Sequence, residues 1–288
     1  MRNNFLGLEK KYCDKTDSSI VILPLGFDKT TTYIHGSDKG PKAIIDASKN
    51  LELYDIETDF EVYKYGIYTA PEKKYSTSIK MLSSVSLDVK NYLKEKKFVV
   101  TIGGEHSISF APIEAHGDFF NSFSVLHFDA HSDLRPSYDN TPHSHASVMS
   151  QVKKIPAVKN IVSVGIRSMD KEEKKFVDPK CCFFAHDIHH NNNWMEKATS
   201  LLSENIYITF DLDVFDSSLM PATGTPEPGG LFWHQVSEFL QLVSLKKNII
   251  GFDVVELCPI KNFVAPDFLA AKLIYKILCL SFKKRKSQ

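Results

Sequence analysis

The chain has 288 residues, 43% of them hydrophobic, and 35 Lys plus Arg set against 35 Asp plus Glu. That is enough apolar material for one large core or two small ones, and the zero formal net charge excludes the basic surplus on which nucleic-acid binders usually rely. No run approaches the ~20 apolar residues of a membrane span, and Met1-Arg2-Asn3-Asn4-Phe5 has neither the apolar stretch nor the cleavage site of a signal peptide.

In chain order, Ser19 to Leu25 (SIVILPL) predicts a strand, and Gly40-Pro41 opens a helix through Lys42 to Lys49, with proline at an early helical position. Ser76 to Lys94 carries the helical spacing of Ile79, Leu82, Val85, Val89 and Tyr92. Phe98 to Ile102, Ser124 to Phe128, Ile161 to Val164, Ile206 to Phe210 and Ile249 to Val255 are short, β-rich and continuously apolar. Strands of a parallel sheet covered on both faces have that composition. Helices are expected at Ala111–Glu114, Glu172–Phe176, Asn193–Ser203 and Trp233–Val243, and a last one from Asp267 to about Phe282. Lys283-Lys284-Arg285-Lys286 is then expected to be a frayed, solvated tail. The rhythm predicts a three-layer α/β/α fold with a mainly parallel central sheet. No repeat or linker divides it, so residues 1–288 read as a single domain. The odd, scattered cysteines Cys13, Cys181, Cys182, Cys258 and Cys279 fit a reduced, cytoplasmic chain. No G-x-G-x-x-G follows the first strand, which argues against a dinucleotide-binding enzyme.

The chemistry lies after the strands. FVVTI runs into Gly103-Gly104-Glu105-His106-Ser107, SVLHF into Asp129-Ala130-His131-Ser132-Asp133, IYITF into Asp211-Leu212-Asp213, and IIGFDVV into Glu256. In a parallel sheet these carboxyl ends share one edge, where ligands bind. Alternation along an extended chain would send Asp129, His131 and Asp133 to one side, and Asp211 with Asp213 likewise. So many carboxylates in one pocket repel one another and desolvate badly unless cations neutralise them. With His106 the set offers four carboxylates and two imidazoles, too many for one tetrahedral zinc. It suits two divalent ions about 3.5 Å apart that share carboxylates, and oxygen-rich ligation favours Mn²⁺ over Zn²⁺. A single Asp-x-Asp after a strand is more often a helix cap or loop acid, and a lone histidine a core residue. The ordered trio is what departs from that.

At these residues the chain resembles the ureohydrolase (arginase/agmatinase) family. The pattern GG(D/E)HS, DAHxD and DxDxxD stands here in order at Gly103–Ser107, Asp129–Asp133 and Asp211–Asp216. The loop Thr223 to Gly230, the segment Asp253 to Glu256 and the early element Gly36 to Ala47 also resemble family segments. The resemblance implies an arginase-like fold and two Mn²⁺ per chain. One ion would be held by His106, Asp129, Asp133 and Asp211, and the other by His131, Asp129, Asp211 and Asp213, with Asp133 counted also among the catalytic residues. A hydroxide between the ions would attack a guanidinium carbon and release urea. Glu256 would pair with the guanidinium, and Thr225 would contact substrate. His145, in Ser144-His145-Ala146-Ser147, would act as proton shuttle and substrate contact, with His143 as its rival. The family often has a proline after DxDxxD, where this chain has Ser217-Ser218. Cys258, close after Glu256, reads as packing rather than as a nucleophile.

Arginases carry an Asn after DAHxD that helps hold the substrate carboxylate, and here that position is Arg135. DLR, SHASVM, Gly165-Ile166-Arg167-Ser168 and TGTPEPGG look like agmatinases instead. The expectation is therefore agmatine, cut to putrescine and urea. Asp139 and Asp170 are open as receivers of its amine or as solvated loop acids. Aminopropylagmatine, arginine, guanidinobutyrate and guanidine are the alternatives within enzymes. A non-catalytic metal-binding paralogue and a one-zinc deacetylase are disfavoured by the complete ligand set. Homo-oligomers, trimers or hexamers, are implied by the family alone.

Overall fold

The structure, a computed structural model, describes residues 3–191 and 193–286, so Met1 and Arg2 of the N-terminal reading lie outside it. Eight parallel strands form one sheet: β1 (Ile20–Leu25), β2 (Ile67–Thr69), β3 (Phe98–Gly103), β4 (Phe123–Phe128), β5 (Val158–Ile166), β6 (Cys182–Phe184), β7 (Asn205–Asp211) and β8 (Asn248–Val255). Their order is β2-β1-β3-β8-β7-β4-β5-β6, with every pair parallel. The expected mainly parallel sheet is thus wholly parallel. The two edge strands β2 and β6 escaped prediction because three residues carry no readable period.

Continuous apolar runs are explained by the two packed faces. Ile20 and Ile22 join the core beneath one face, whereas Val21, Leu23 and Leu25 join the core beneath the other. Helices α1 (Gly40–Ser48), α6 (Trp194–Leu201), α7 (Trp233–Lys246) and α8 (Ala265–Lys286) cover the first face. Helices α2 (Ser78–Lys94), α3 (Phe110–Gly117) and the short α4 (Val148–Val152) cover the second. A further short helix, α5 (Ala185–Ile188), follows β6. Pro41 sits in the first turn of α1, and Thr77 caps α2 by accepting from Lys80 N. On α2 the buried face runs through Met81, Leu82, Val85 and Val89, while Ile79, assigned to that stripe by spacing, is exposed. Glu172–Phe176 lies within a 3-10 turn, Lys171–Phe176, started by a capping box of Asp170 and Glu173.

The basic end is not a frayed tail. Lys283 to Arg285 continue α8. Lys283 Nζ donates to Thr58 O at 2.5 Å and Lys284 Nζ to Lys247 O at 2.9 Å. The Arg285 guanidinium lies over the rings of Phe98 and Phe282, at 4.9 and 5.2 Å. Long basic side chains can lie along apolar surface and satisfy carbonyls, so charge density alone did not mark this segment as loose.

Helix α8 is tied to the chain after α1 by a buried ion pair. Lys276 and Asp55 are 2% and 1% exposed and meet at 2.7 Å, with Glu57 at 3.1 Å from the same amine. Removing one partner strands the other charge. Lys276→Met is expected to lower unfolding stability by about 3 kcal/mol. Urea unfolding checks this, and an unchanged midpoint and slope would refute it. Burial pushes Asp55 up, but Lys276 and Thr58 outweigh it and hold the carboxyl below its usual value. Its contribution is therefore present at neutral pH and lost as pH falls through that lowered value.

Candidate metal centre and active-site cavity

The four strands adjacent at the centre of the sheet, β3-β8-β7-β4, deliver the predicted residues to one edge. His106 follows β3, Glu256 follows β8, Asp211 ends β7 and Asp129 follows β4. The glycines of the first motif have a steric reason. A Cβ on Gly104 would stand 2.0 Å from Phe27 O, so only glycine lets the loop after β1 press against this strand end. Gly104 N and Glu105 N then donate to Leu25 O and Phe27 O.

Simple alternation does not produce the convergence. β4 stops at Phe128, and Asp133 reaches the site from a left-handed backbone, φ 52°. Leu212–Val214 is a 3-10 turn capped by Asp211, whose Oδ1 accepts Asp213 N at 2.8 Å. Turns at the strand ends, not extended chain, bring these acids together. Glu256 also has a positive φ, 67°. Left-handed backbone outside glycine is uncommon and costs energy, and here it coincides with side chains turned into the site. Arg167 and Asp216 fasten the surrounding loops. Arg167 donates to the carbonyls of Asp213, Phe215, Glu227 and Pro228. Asp216 accepts from Ser218, Gly229 and Gly230. Burial pushes Asp216 up, but these donors outweigh it and hold the carboxyl at about 2. Where the family often has proline this chain has Ser217, and the next residue, Ser218, donates to Asp216.

His106 is the clearest indication of a cation. Its Nε2 lies 2.9 Å from Thr209 Oγ1, and that hydroxyl donates to Asp253 Oδ1 at 2.8 Å. Thr209 therefore accepts from Nε2–H, which leaves Nδ1 as the lone-pair nitrogen of a neutral ring. Nδ1 stands 3.0, 3.1 and 3.4 Å from oxygens of Asp129, Asp133 and Asp211, yet has no aligned hydrogen bond. Only a proton or a metal ion reconciles a buried nitrogen with three carboxylates. On the other side, His131 Nδ1 is 2.9 Å from Asp213 Oδ2 and 3.6 Å from Asp129 Oδ1. Asp129 thus turns Oδ2 to His106 and Oδ1 to His131. Two ligand groups result, His106–His127–Asp129 and Asp129–His131–Asp213, with donor atoms within 4.8 Å of one another in each.

The protonation pattern records the crowding. Burial opposes charge on His106, but Asp129, Asp133 and Asp211 outweigh it and raise the ring well above its usual value. Burial likewise opposes His131, and Asp213 and Asp129 raise it to about 12. Asp133 is pushed up by burial and by Asp129, and Asp211 by burial and by Asp213 and Asp129. Burial and the Glu105 charge raise Glu256.

These residues border a cavity of about 320 Å³. Its lining includes His106, His131, Asp133, Asp211, Asp213, Thr225, Glu256 and His145, while Asp129 lies beneath, fully buried. His143 is not in the wall; its ring packs 6.4 Å from Phe110. The lining also includes Arg135, Tyr138, Asp170 and Glu173. Asp139 is exposed in a turn away from the cavity. The Cys258 thiol is pushed up by burial and donates to His35 O, as expected of packing.

Sequence reasoning passed over several contributors. His127 Nε2 lies 2.8 Å from Asp129 Oδ2 and its Nδ1 lies 3.1 Å from Ser163 Oγ. An imidazole within a buried apolar strand was a signal that it has a partner. Thr209 and Asp253, behind His106, stand at alternate positions from Asp211 and Val255 on their strands. Glu173, Thr31 and Thr32 come from segments with no motif.

Known proteins resemble the chain over nearly its whole length. The model described as "Arginase family" matches residues 18–280. The N(1)-aminopropylagmatine ureohydrolase of Synechocystis sp. is 34% identical over 273 residues, 91% of this chain and 89% of that protein. The agmatinase of Pyrococcus horikoshii is 32% identical over 280 residues, 95% of this chain and 96% of that protein. Among solved structures, the agmatine ureohydrolase of Thermoplasma volcanium superimposes with a TM-score of 0.88 at 27% identity, covering 100% of this chain and 97% of that one.

Proposed function

The chain belongs to the arginase family, and on that premise we propose that it hydrolyses the guanidinium group of agmatine, giving putrescine and urea. The observation that carries this reading is Glu256, a buried carboxylate in the wall of the cavity that also holds the Asp/His cluster. The cluster fits two divalent ions, read as Mn²⁺. His106, Asp129, Asp133 and Asp211 would hold one, and His131, Asp129, Asp211 and Asp213 the other. When bound, the ions supply Lewis-acid activation of water.

The chain's own residues do the rest. Glu256 offers a carboxylate to the planar donor fork of the guanidinium. Thr225 adds a hydroxyl to the same wall. Asp133 accepts from the attacking water and orients it. His145 gives a proton to the departing amine, so that water and substrate leave as urea and a protonated amine. His145 is favoured over His143 because it borders the cavity. The wall around Arg135 supports a cationic tail. Arg135 is already faced by Glu173 at 3.5 Å and Asp170 at 3.9 Å. Two carboxylates against one guanidinium leave that wall negative, which disfavours the carboxylates of arginine and guanidinobutyrate. Asp170 is then the receiver of the amine.

A second reading, N1-aminopropylagmatine, is favoured by the Synechocystis relative. Urea release by the Mn²⁺-loaded protein across agmatine, aminopropylagmatine, arginine, guanidinobutyrate and guanidine decides. Release is expected from agmatine first. Faster turnover of the aminopropyl form would establish the second reading, and preference for arginine would refute the cationic-tail assignment. We further read the chain as one domain over residues 1–288 and as a cytoplasmic homo-oligomer, a trimer or hexamer. Among the described residues no helix is long and apolar enough to cross a membrane.

A further inference from the structure

Glu105 stands inside the first motif beside His106, yet it has no place in the ligand set. It is fully buried and saturated with donors. Its carboxylate accepts Lys29 N and Thr30 N at 2.6 Å each, the Thr30 hydroxyl at 2.6 Å and the Ser107 hydroxyl at 2.5 Å. A carboxylate in this role only accepts, so the single hydroxyl proton of Thr30 goes to Glu105. The Thr30 oxygen is left with lone pairs alone, and both neighbours of those lone pairs belong to His145. His145 N donates to Thr30 Oγ1 at 3.1 Å, and His145 Nδ1 lies 3.3 Å from the same oxygen.

We infer that Glu105 and Thr30 are positioning residues that fix the tautomer and orientation of His145. The inference rests on the proton-transfer role given to His145 above. With its proton committed to Glu105, Thr30 can hold the ring only as Nδ1–H, which makes Nε2 the basic nitrogen. Without Glu105, Thr30 could donate to Nδ1 instead, and the ring proton would move to Nε2. The backbone and ring of His145 are thereby tied to one atom, while Tyr138 meets the ring edge-on at 5.7 Å on the cavity wall. Both residues come from segments distant in sequence from His145, and the contact that Gly104 permits with the loop after β1 brings them into place.

Thr30→Val keeps the shape and removes the hydroxyl. It is expected to lower kcat by about 10–100-fold, part of the roughly 10²–10⁴-fold that a well-placed general acid contributes, with KM and metal content near wild type. Thr30→Ser should stay close to wild type. Thr30→Ala, which adds no bulk, serves if the valine variant folds poorly. In protein labelled with heavy nitrogen at histidine, His145 should report Nδ1–H in wild type and Thr30→Ser and lose that preference in Thr30→Val. The double variant with His145→Ala should be no slower than His145→Ala alone. Wild-type kcat in both Thr30→Val and Thr30→Ala, with His145→Ala impaired, overturns the inference and spares the shuttle. Wild-type kcat in His145→Ala refutes the shuttle itself. Losses that multiply in the double variant show Thr30 acting elsewhere and also overturn the inference.

Discussion

Asp129→Asn is expected to abolish urea release and divalent-metal retention together, with metal affinity falling by about 10³-fold or more. Asp129 is fully buried and turns one oxygen to His106 and His127 and the other to His131. An amide removes the charge shared between the two ligand groups and sets an NH₂ against donors. A thousandfold loss corresponds to about 4 kcal/mol, within reach of breaking one charge-assisted set in a buried site. Metal content by mass spectrometry after dialysis is the direct measure. Wild-type turnover with two ions retained would refute the bridging assignment. Asp211→Asn is a companion with an opposite signature in the metal-free protein. Burial, Asp213 and Asp129 raise Asp211, so at neutral pH its ionisation opposes folding. Its removal should leave the metal-free melting temperature no lower than wild type, while added Mn²⁺ no longer raises it. In wild type, the ligating nitrogens of His106 and His131 must be unprotonated to hold metal, so affinity falls as pH falls.

The parts legible in the sequence were those in which a local pattern reports a global constraint. Continuous apolar runs signalled a sheet buried on both sides, and the acids after β3, β4, β7 and β8 signalled one shared edge. That those four strands are neighbours in the sheet is a matter of topology, since β8 lies between β3 and β7. Nothing in the local spacing of residues 98–103 and 248–255 states it. Alternation predicted Asp129, His131 and Asp133 on one side for the wrong reason, because the positive φ of Asp133 and the turn after Asp211 do the aiming. Thr30, Thr209 and Asp253 were silent because a supporting hydroxyl or acid has no spacing rule. Its partner is set by packing, not by sequence. The basic end misled for a related reason: four consecutive cations resemble a tail until the carbonyls and rings that Lys283, Lys284 and Arg285 cover are in view.

Glu256→Gln is expected to lower kcat/KM by about 10²–10³-fold while both ions stay bound. The side chain is nearly isosteric, and Gln can still accept His106 N, which Glu256 Oε1 takes at 2.6 Å. What disappears is the anion opposite the substrate cation. Two charge-assisted bonds, each contributing about 1.5–3 kcal/mol, account for a loss of that order. The pH profile separates this role from a structural one. Burial and the nearby Glu105 charge raise Glu256 well above the usual carboxylate range. A protonated Glu256 cannot pair with guanidinium, whereas a bound guanidinium favours the ionised form. In wild type, kcat/KM should therefore rise with pH through that raised value and then level, and the Gln variant should lack this limb. Glu256→Asp keeps the charge but retracts it by one methylene, so it should keep the limb at reduced kcat/KM. Loss of bound metal in the Gln variant, with substrate affinity intact, would instead assign Glu256 to the support of His106. Its hydrogen bond to the His106 backbone makes that the specific competing role.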